Sequence, residues 1–211
     1  MEGVAVAAEA AETNGFVNLY EFIHDFPLLY AVLAAVILPF LIIAVGYAIN
    51  YIGLAIAFIL SLFVDPWLVQ AIINFLFFPG VILHELSHAF LAVITGAKVT
   101  EVALFKKEGE SLGHVYFKNR GNRVIVSLQY IFISAAPMFC GALIVWGCWA
   151  WILILPKALL WLKILLGYIG ASMFFHMTMS SADIKIYIRG IPIFMALLFI
   201  VTLALRLVGV L

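Results

Sequence analysis

The sequence predicts an all-α polytopic membrane protein of about six transmembrane helices, with a small β-hairpin after the third. Three observations carry this expectation. Of 211 residues, 67% are hydrophobic and 10% are charged, against about 25% charged in soluble domains. Mean hydropathy is +1.22, and the apolar runs are continuous rather than alternating, as a barrel would require. The charge is also unevenly placed. Residues 1–97 contain seven acids and no Lys or Arg, while all eleven basic residues lie from Lys98 onward. So little charge excludes a soluble globular domain, a disordered chain and a nucleic-acid-binding protein.

Residues 1–26 hold Glu2, Glu9, Glu12, Glu21 and Asp25 and read as an acidic surface segment, with an interfacial helix near Phe16–Phe26. The remainder, 27–211, reads as a single transmembrane domain. Residues 27–64 are apolar throughout and as one helix would reach about 57 Å, too long for one crossing. Gly46, Asn50 and Gly53 mark a turn, so two helices are expected, 27–46 and 50–64, ended by Asp65-Pro66. The third span is expected over 69–96 and contains Pro79-Gly80. Two β-favouring runs about a Gly-containing turn predict a hairpin over about 98–118. Spans four to six are expected at 124–154, 158–181 and 190–210, separated by Pro156 and by the polar Asp183–Gly190 segment. Cys140 and Cys148 lie in an apolar run and suggest neither a disulfide framework nor a metal pair. Six basic residues between Lys98 and Arg123 assign that loop to the cytoplasm by the positive-inside rule. With six spans, both termini then lie outside.

The third span reads Leu83-His84-Glu85-Leu86-Ser87-His88, an H-E-x-x-H motif. On a helix, His84 and His88 are one turn apart on one face, so both imidazoles can bind one zinc ion. Glu85 lies beside them and can take a proton from water held there. Ionisable residues inside an apolar span are costly and mark function by default. The competing reading is a polar packing cluster without metal. A catalytic zinc takes a third protein ligand and leaves one place open. His24, His114, His176, Asp25, Asp65 and Asp183 are the candidates. His24, Asp25 and Asp65 are expected on the opposite side, and His114, in the hairpin, in solvent or at the rim of the site. Of the remaining pair, Asp183 is favoured over His176, because a His₂-carboxylate set suits a hydrolytic zinc. His176 then orients a ligand or polarises the substrate carbonyl.

These residues resemble the site-2 protease group of intramembrane zinc metalloproteases, the M50-like peptidases, over roughly residues 70–190. The resemblance rests on the His84–His88 motif in a membrane helix, the hairpin after it, a further span with Pro137, and a later helix ending in Asp183. It implies that Asp183 corresponds to the family's third ligand, an Asp in a Leu-Asp-Gly-type motif. Here Asp183 is flanked by Ala182 and Ile184, and the stretch Ala135–Gly141 lacks the Asn of the family's Gly-Pro-x-x-Asn element. The match is therefore to a divergent, compact branch, and the family's oxyanion donor does not carry over.

The expected activity is hydrolysis of peptide bonds in or next to membrane-embedded substrates. Zn²⁺ is bound by His84, His88 and Asp183, Glu85 is the general base, and His176 assists. The expected partners are the lipid bilayer and a membrane protein or transmembrane peptide, with no nucleic acid. The expected location is the cell membrane, crossed several times. The rival classes are a non-proteolytic membrane zinc protein, either transporter or scaffold, and a membrane zinc hydrolase of a non-peptide substrate. Apart from the motif and the His176–Asp183 segment, the spans hold almost none of the metal-binding residues that a transporter needs.

Overall fold

The computed structural model describes residues 26–104 and 113–210. The acidic segment 1–25 and the tip of the hairpin lie outside them, and with them the expected interfacial helix. Among the described residues the order is α1 (Pro27–Ser61), α2 (Pro66–Leu76), α3 (Phe78–Ile94), β1 (Lys98–Ala103), β2 (His114–Lys118), α4 (Arg123–Ser134), α5 (Ala136–Ile154), α6 (Leu160–His176) and α7 (Ser181–Leu207), with a 3₁₀ turn at Lys157–Leu159.

Four segments are long and apolar enough to cross a bilayer: α1, α5, the 3₁₀ turn with α6, and α7. The pair α2–α3, bent by 58° at its break, makes a fifth if it counts as one span. The expectation of six spans is corrected in several places. The two helices expected at 27–46 and 50–64 are one helix of 35 residues, Pro27–Ser61. A helical glycine costs about 1 kcal/mol, whereas opening the backbone in an apolar medium leaves groups unsatisfied at several kcal/mol each. Gly46 and Gly53 therefore stay helical. Asp65 then caps α2, its Oδ1 accepting from the Trp67 N–H at 2.8 Å.

The runs expected at 69–96 and 124–154 are each two helices, broken at Phe77 and at Ala135. Pro79 and Pro137 stand in the first turn of the second member of each pair, where a missing N–H costs nothing. The fifth helix ends at His176 rather than at 181. The last begins at Ser181 rather than 190, so Asp183 opens a helix instead of closing one.

The hairpin forms as expected. β1 and β2 pair antiparallel, from Lys98 opposite Lys118 to Ala103 opposite His114, with a bulge between Val99 and Glu101. It is anchored to α3 and α4 by an apolar cluster of Ala92, Ala97 and Ile133, on which Leu91, Val99 and Phe117 pack. Large apolar side chains face outward along the helices, such as Phe75, Trp146, Trp149, Leu153 and Trp161. A surface of this kind is consistent with a membrane protein.

The described residues divide into two compact units, 41–192 and a smaller one of 26–40 with 193–210. In the smaller unit the Arg206 guanidinium lies 4.5 Å from the centre of the Tyr30 ring, a cation–π contact. The larger unit holds the motif helix, the hairpin and Asp183.

Candidate metal centre

Helix α3 carries the motif, and its start is set by a close approach to α6. The Ser172 hydroxyl accepts from the Gly80 N–H at 2.7 Å and donates to the Phe77 carbonyl at 2.7 Å. It thus bridges the break between α2 and α3. Gly80 is required here: a Cβ would overlap the Ser172 carbonyl and come within 2.6 Å of His176 Nδ1.

This approach brings the last carbonyl of α6 to the motif. His84 Nδ1 donates to the His176 carbonyl at 2.6 Å, and His88 Nδ1 donates to the Ile133 carbonyl at 2.7 Å. Both acceptors lie in last helical turns, where carbonyls lack intrahelical partners. The breaks at Ala135 and after His176 therefore supply the groups that orient the two histidines. A carbonyl can only accept, so each neutral ring carries its proton on Nδ1 and presents a lone pair at Nε2.

Those two Nε2 atoms are 3.2 Å apart. Asp183 Oδ1 lies 3.3 Å from His88 Nε2, and Asp183 Oδ2 lies 3.9 Å from His84 Nε2. Among the described residues, His84, His88 and Asp183 form a group with one ligand atom each within 4.8 Å of the others. Lone pairs and a carboxylate this close repel unless a cation lies among them. Tetrahedral zinc with bonds of about 2.0–2.1 Å holds its ligand atoms about 3.3 Å apart. The donor set and its spacing therefore fit zinc.

The carboxylate is held by its own helix start. Asp183 Oδ2 accepts from the Ser180 N–H at 2.8 Å and from the Ser180 hydroxyl at 2.7 Å. The Asp183 N–H returns a bond to Ser180 Oγ at 3.1 Å. This is a reciprocal capping box, and it turns Oδ1 toward His88. Glu85 is buried, with 6% of its surface exposed. It backs onto Gly113, where a Cβ would lie 2.8 Å from Glu85 Cγ.

The other candidates are placed differently. The His176 imidazole turns to the Ser172 carbonyl at 2.9 Å, so this residue meets the centre through its backbone. His114, expected in solvent or at the rim, is largely buried, lines the cavity that opens onto the centre and lies 3.5 Å from Glu101 Oε1. Asp65 is the α2 cap, and His24 and Asp25 lie outside the described residues. Sequence reasoning missed Ser172 and Gly113 and the carbonyl of Ile133; no local motif marks them.

A cavity of about 770 Å³ opens onto His84, Glu85, His88 and Asp183, and Gly113, His114, Asn119 and Arg189 also line it. That is the size of a ligand site, and Glu85 lies on its wall. Comparison of the chain with family models, curated proteins and solved structures finds no match.

Proposed function

We propose that this chain is a multi-pass zinc metallopeptidase of the cell membrane, similar in its chemistry to the site-2 protease group, hydrolysing peptide bonds in or next to membrane-embedded substrates. The observation that carries the reading is the buried carboxylate of Glu85 between two histidines whose Nε2 atoms meet at 3.2 Å beside Asp183, on one cavity wall. His84, His88 and Asp183 would hold the metal. Bound there, zinc supplies Lewis acidity, lowering the pKa of water to about 7 and polarising a carbonyl.

The chain's own residues do the rest. Glu85 takes the proton of the attacking water as its oxygen bonds to the scissile carbonyl carbon. When the C–N bond breaks, Glu85 delivers that proton to the leaving amine. The carbonyls of His176 and Ile133 keep both histidine rings in the proton-on-Nδ1 form throughout. A substrate helix has its backbone groups satisfied internally and must unwind before attack. Val115, Tyr116 and Phe117 of β2 line the cavity, so the outer edge of that strand offers an unwound segment main-chain pairing.

The test is Glu85→Gln in the purified, zinc-loaded chain. The expected result is loss of cleavage, by a factor of about 10² or more, with about one zinc per chain retained. His84→Ala should lose the zinc. Full activity in Glu85→Gln would sink the mechanism. Zinc bound without hydrolysis of any peptide would favour a transporter, a scaffold or a non-peptide hydrolase.

A further inference from the structure

Asn119 follows directly after β2 and lines the cavity that holds the candidate metal centre. Its side-chain Nδ2 is buried and, among the described residues, has no hydrogen-bond acceptor. Buried amide donors are almost always paired, because an unpaired one forfeits its hydration and gains nothing. The other buried side-chain amide nearby behaves as expected. Gln129 is fully buried. Its Oε1 accepts from the Arg120 N–H at 3.1 Å, and its Nε2 donates to the carbonyls of Arg120 at 3.0 Å and Thr95 at 2.9 Å.

That clamp matters for Asn119. It fixes both backbone groups of the next residue, Arg120, and ties them to Thr95, the C-cap of the helix that carries His84, Glu85 and His88. On its other side Asn119 continues from Lys118, which pairs with Lys98. Both neighbours are thus held, which fixes the main chain from which the amide projects into the cavity wall. A donor without an acceptor among the described residues, on the wall of a cavity, is preorganised for an acceptor that arrives from outside.

An unwound peptide brings such acceptors. Each residue released from a helix frees a carbonyl oxygen that needs a donor. We propose that Asn119 is a substrate-binding residue whose amide donates to a main-chain carbonyl of the unwound substrate segment. The proposal rests on the peptidase reading for the identity of the ligand. The donor itself is read from the cavity.

The experiment uses the full zinc-loaded chain in detergent and a fluorophore-labelled apolar peptide of Leu, Ala and Gly residues. Binding is measured in the Glu85→Gln background, alone and combined with Asn119→Leu or Asn119→Asp. Both substitutions remove the donor, and Asp keeps the size of the side chain. Dissociation constants are expected to rise about tenfold, the scale of one hydrogen bond, with zinc content unchanged. Removing an orphaned donor should also leave the melting temperature of the peptide-free protein the same or higher in Asn119→Leu, which a structural role would not allow. Unchanged peptide affinity would overturn the proposal, as would a fall in melting temperature with loss of zinc in both variants. The two readings fail separately. Hydrolysis that depends on Glu85 but not on Asn119 overturns this proposal and leaves the peptidase standing. Peptide binding that depends on Asn119, with no hydrolysis, upholds it and removes the peptidase.

Discussion

Ser180 decides which oxygen of Asp183 faces the histidines. Its N–H and hydroxyl both hold Oδ2, leaving Oδ1 toward His88. Groups that orient a metal ligand typically contribute 10–100-fold to metal affinity. Ser180→Ala should therefore weaken zinc binding about tenfold, measured by competition with a chelator, while Ser180→Thr, which keeps the hydroxyl, should restore it. An affinity equal to that of the parent protein would show that the capping box serves the helix alone. At this scale the sequence was legible only where the geometry is local. His84 and His88 are one helical turn apart, so their spacing alone announces the pair. Elimination left Asp183 and His176 together, and only the chemistry of a His₂-carboxylate set favoured Asp183. Gly113 against Glu85, and the carbonyls of Ile133 and His176, were beyond reach, because tertiary packing creates them and any side chain at 133 would leave the carbonyl in place.

The middle of α3 carries the candidate centre, and helix ends orient it. The prolines at 79 and 137 sit within apolar runs long enough to pass as single spans, and hydropathy alone does not separate a kink from a fresh start. Each is in fact the first turn of a new helix. The Phe77 break is held by the Ser172 hydroxyl, and Gly80 lets the two helices meet. Gly80→Ala would force a methyl group into the Ser172 backbone and should destabilise the protein by about 1–3 kcal/mol. Ser172→Ala removes one hydroxyl bridge and should cost about 1 kcal/mol. Unfolding in mixed micelles checks the order. A larger loss from Ser172→Ala would show that the hydrogen bonds, and not the close approach, hold the bend. The hairpin was legible because two β-favouring runs around a Gly-containing turn are a short-range signal. The start of α7 was not, because its polar first turn mimics a loop.

For the whole molecule, the count of crossings sets the side of each terminus. Merging 27–64 into one helix removes a crossing, and counting α2–α3 as one span leaves five. Under the proposed multi-pass reading, that odd number among the described residues predicts ends on opposite faces. Tags placed ahead of Pro27 and after Leu207, probed in sealed vesicles, should become accessible from opposite sides. Access to both from one side would mean that the α2–α3 pair enters and leaves by the same face. Composition alone pointed to helices long and apolar enough to cross a membrane, and the described residues contain them. It could not give the count, because a long apolar run permits both one helix and two.

The histidine rings rest on main-chain oxygens. An alanine scan across α4 and α6 would therefore pass over the groups that fix them, and natural drift at Ile133 would leave no trace in zinc binding. Only a change to the polymer itself would expose them. An ester in place of the amide at Ser134 or Met177 weakens the preceding carbonyl as an acceptor, and should lower zinc affinity where every side-chain exchange at 133 leaves it unchanged.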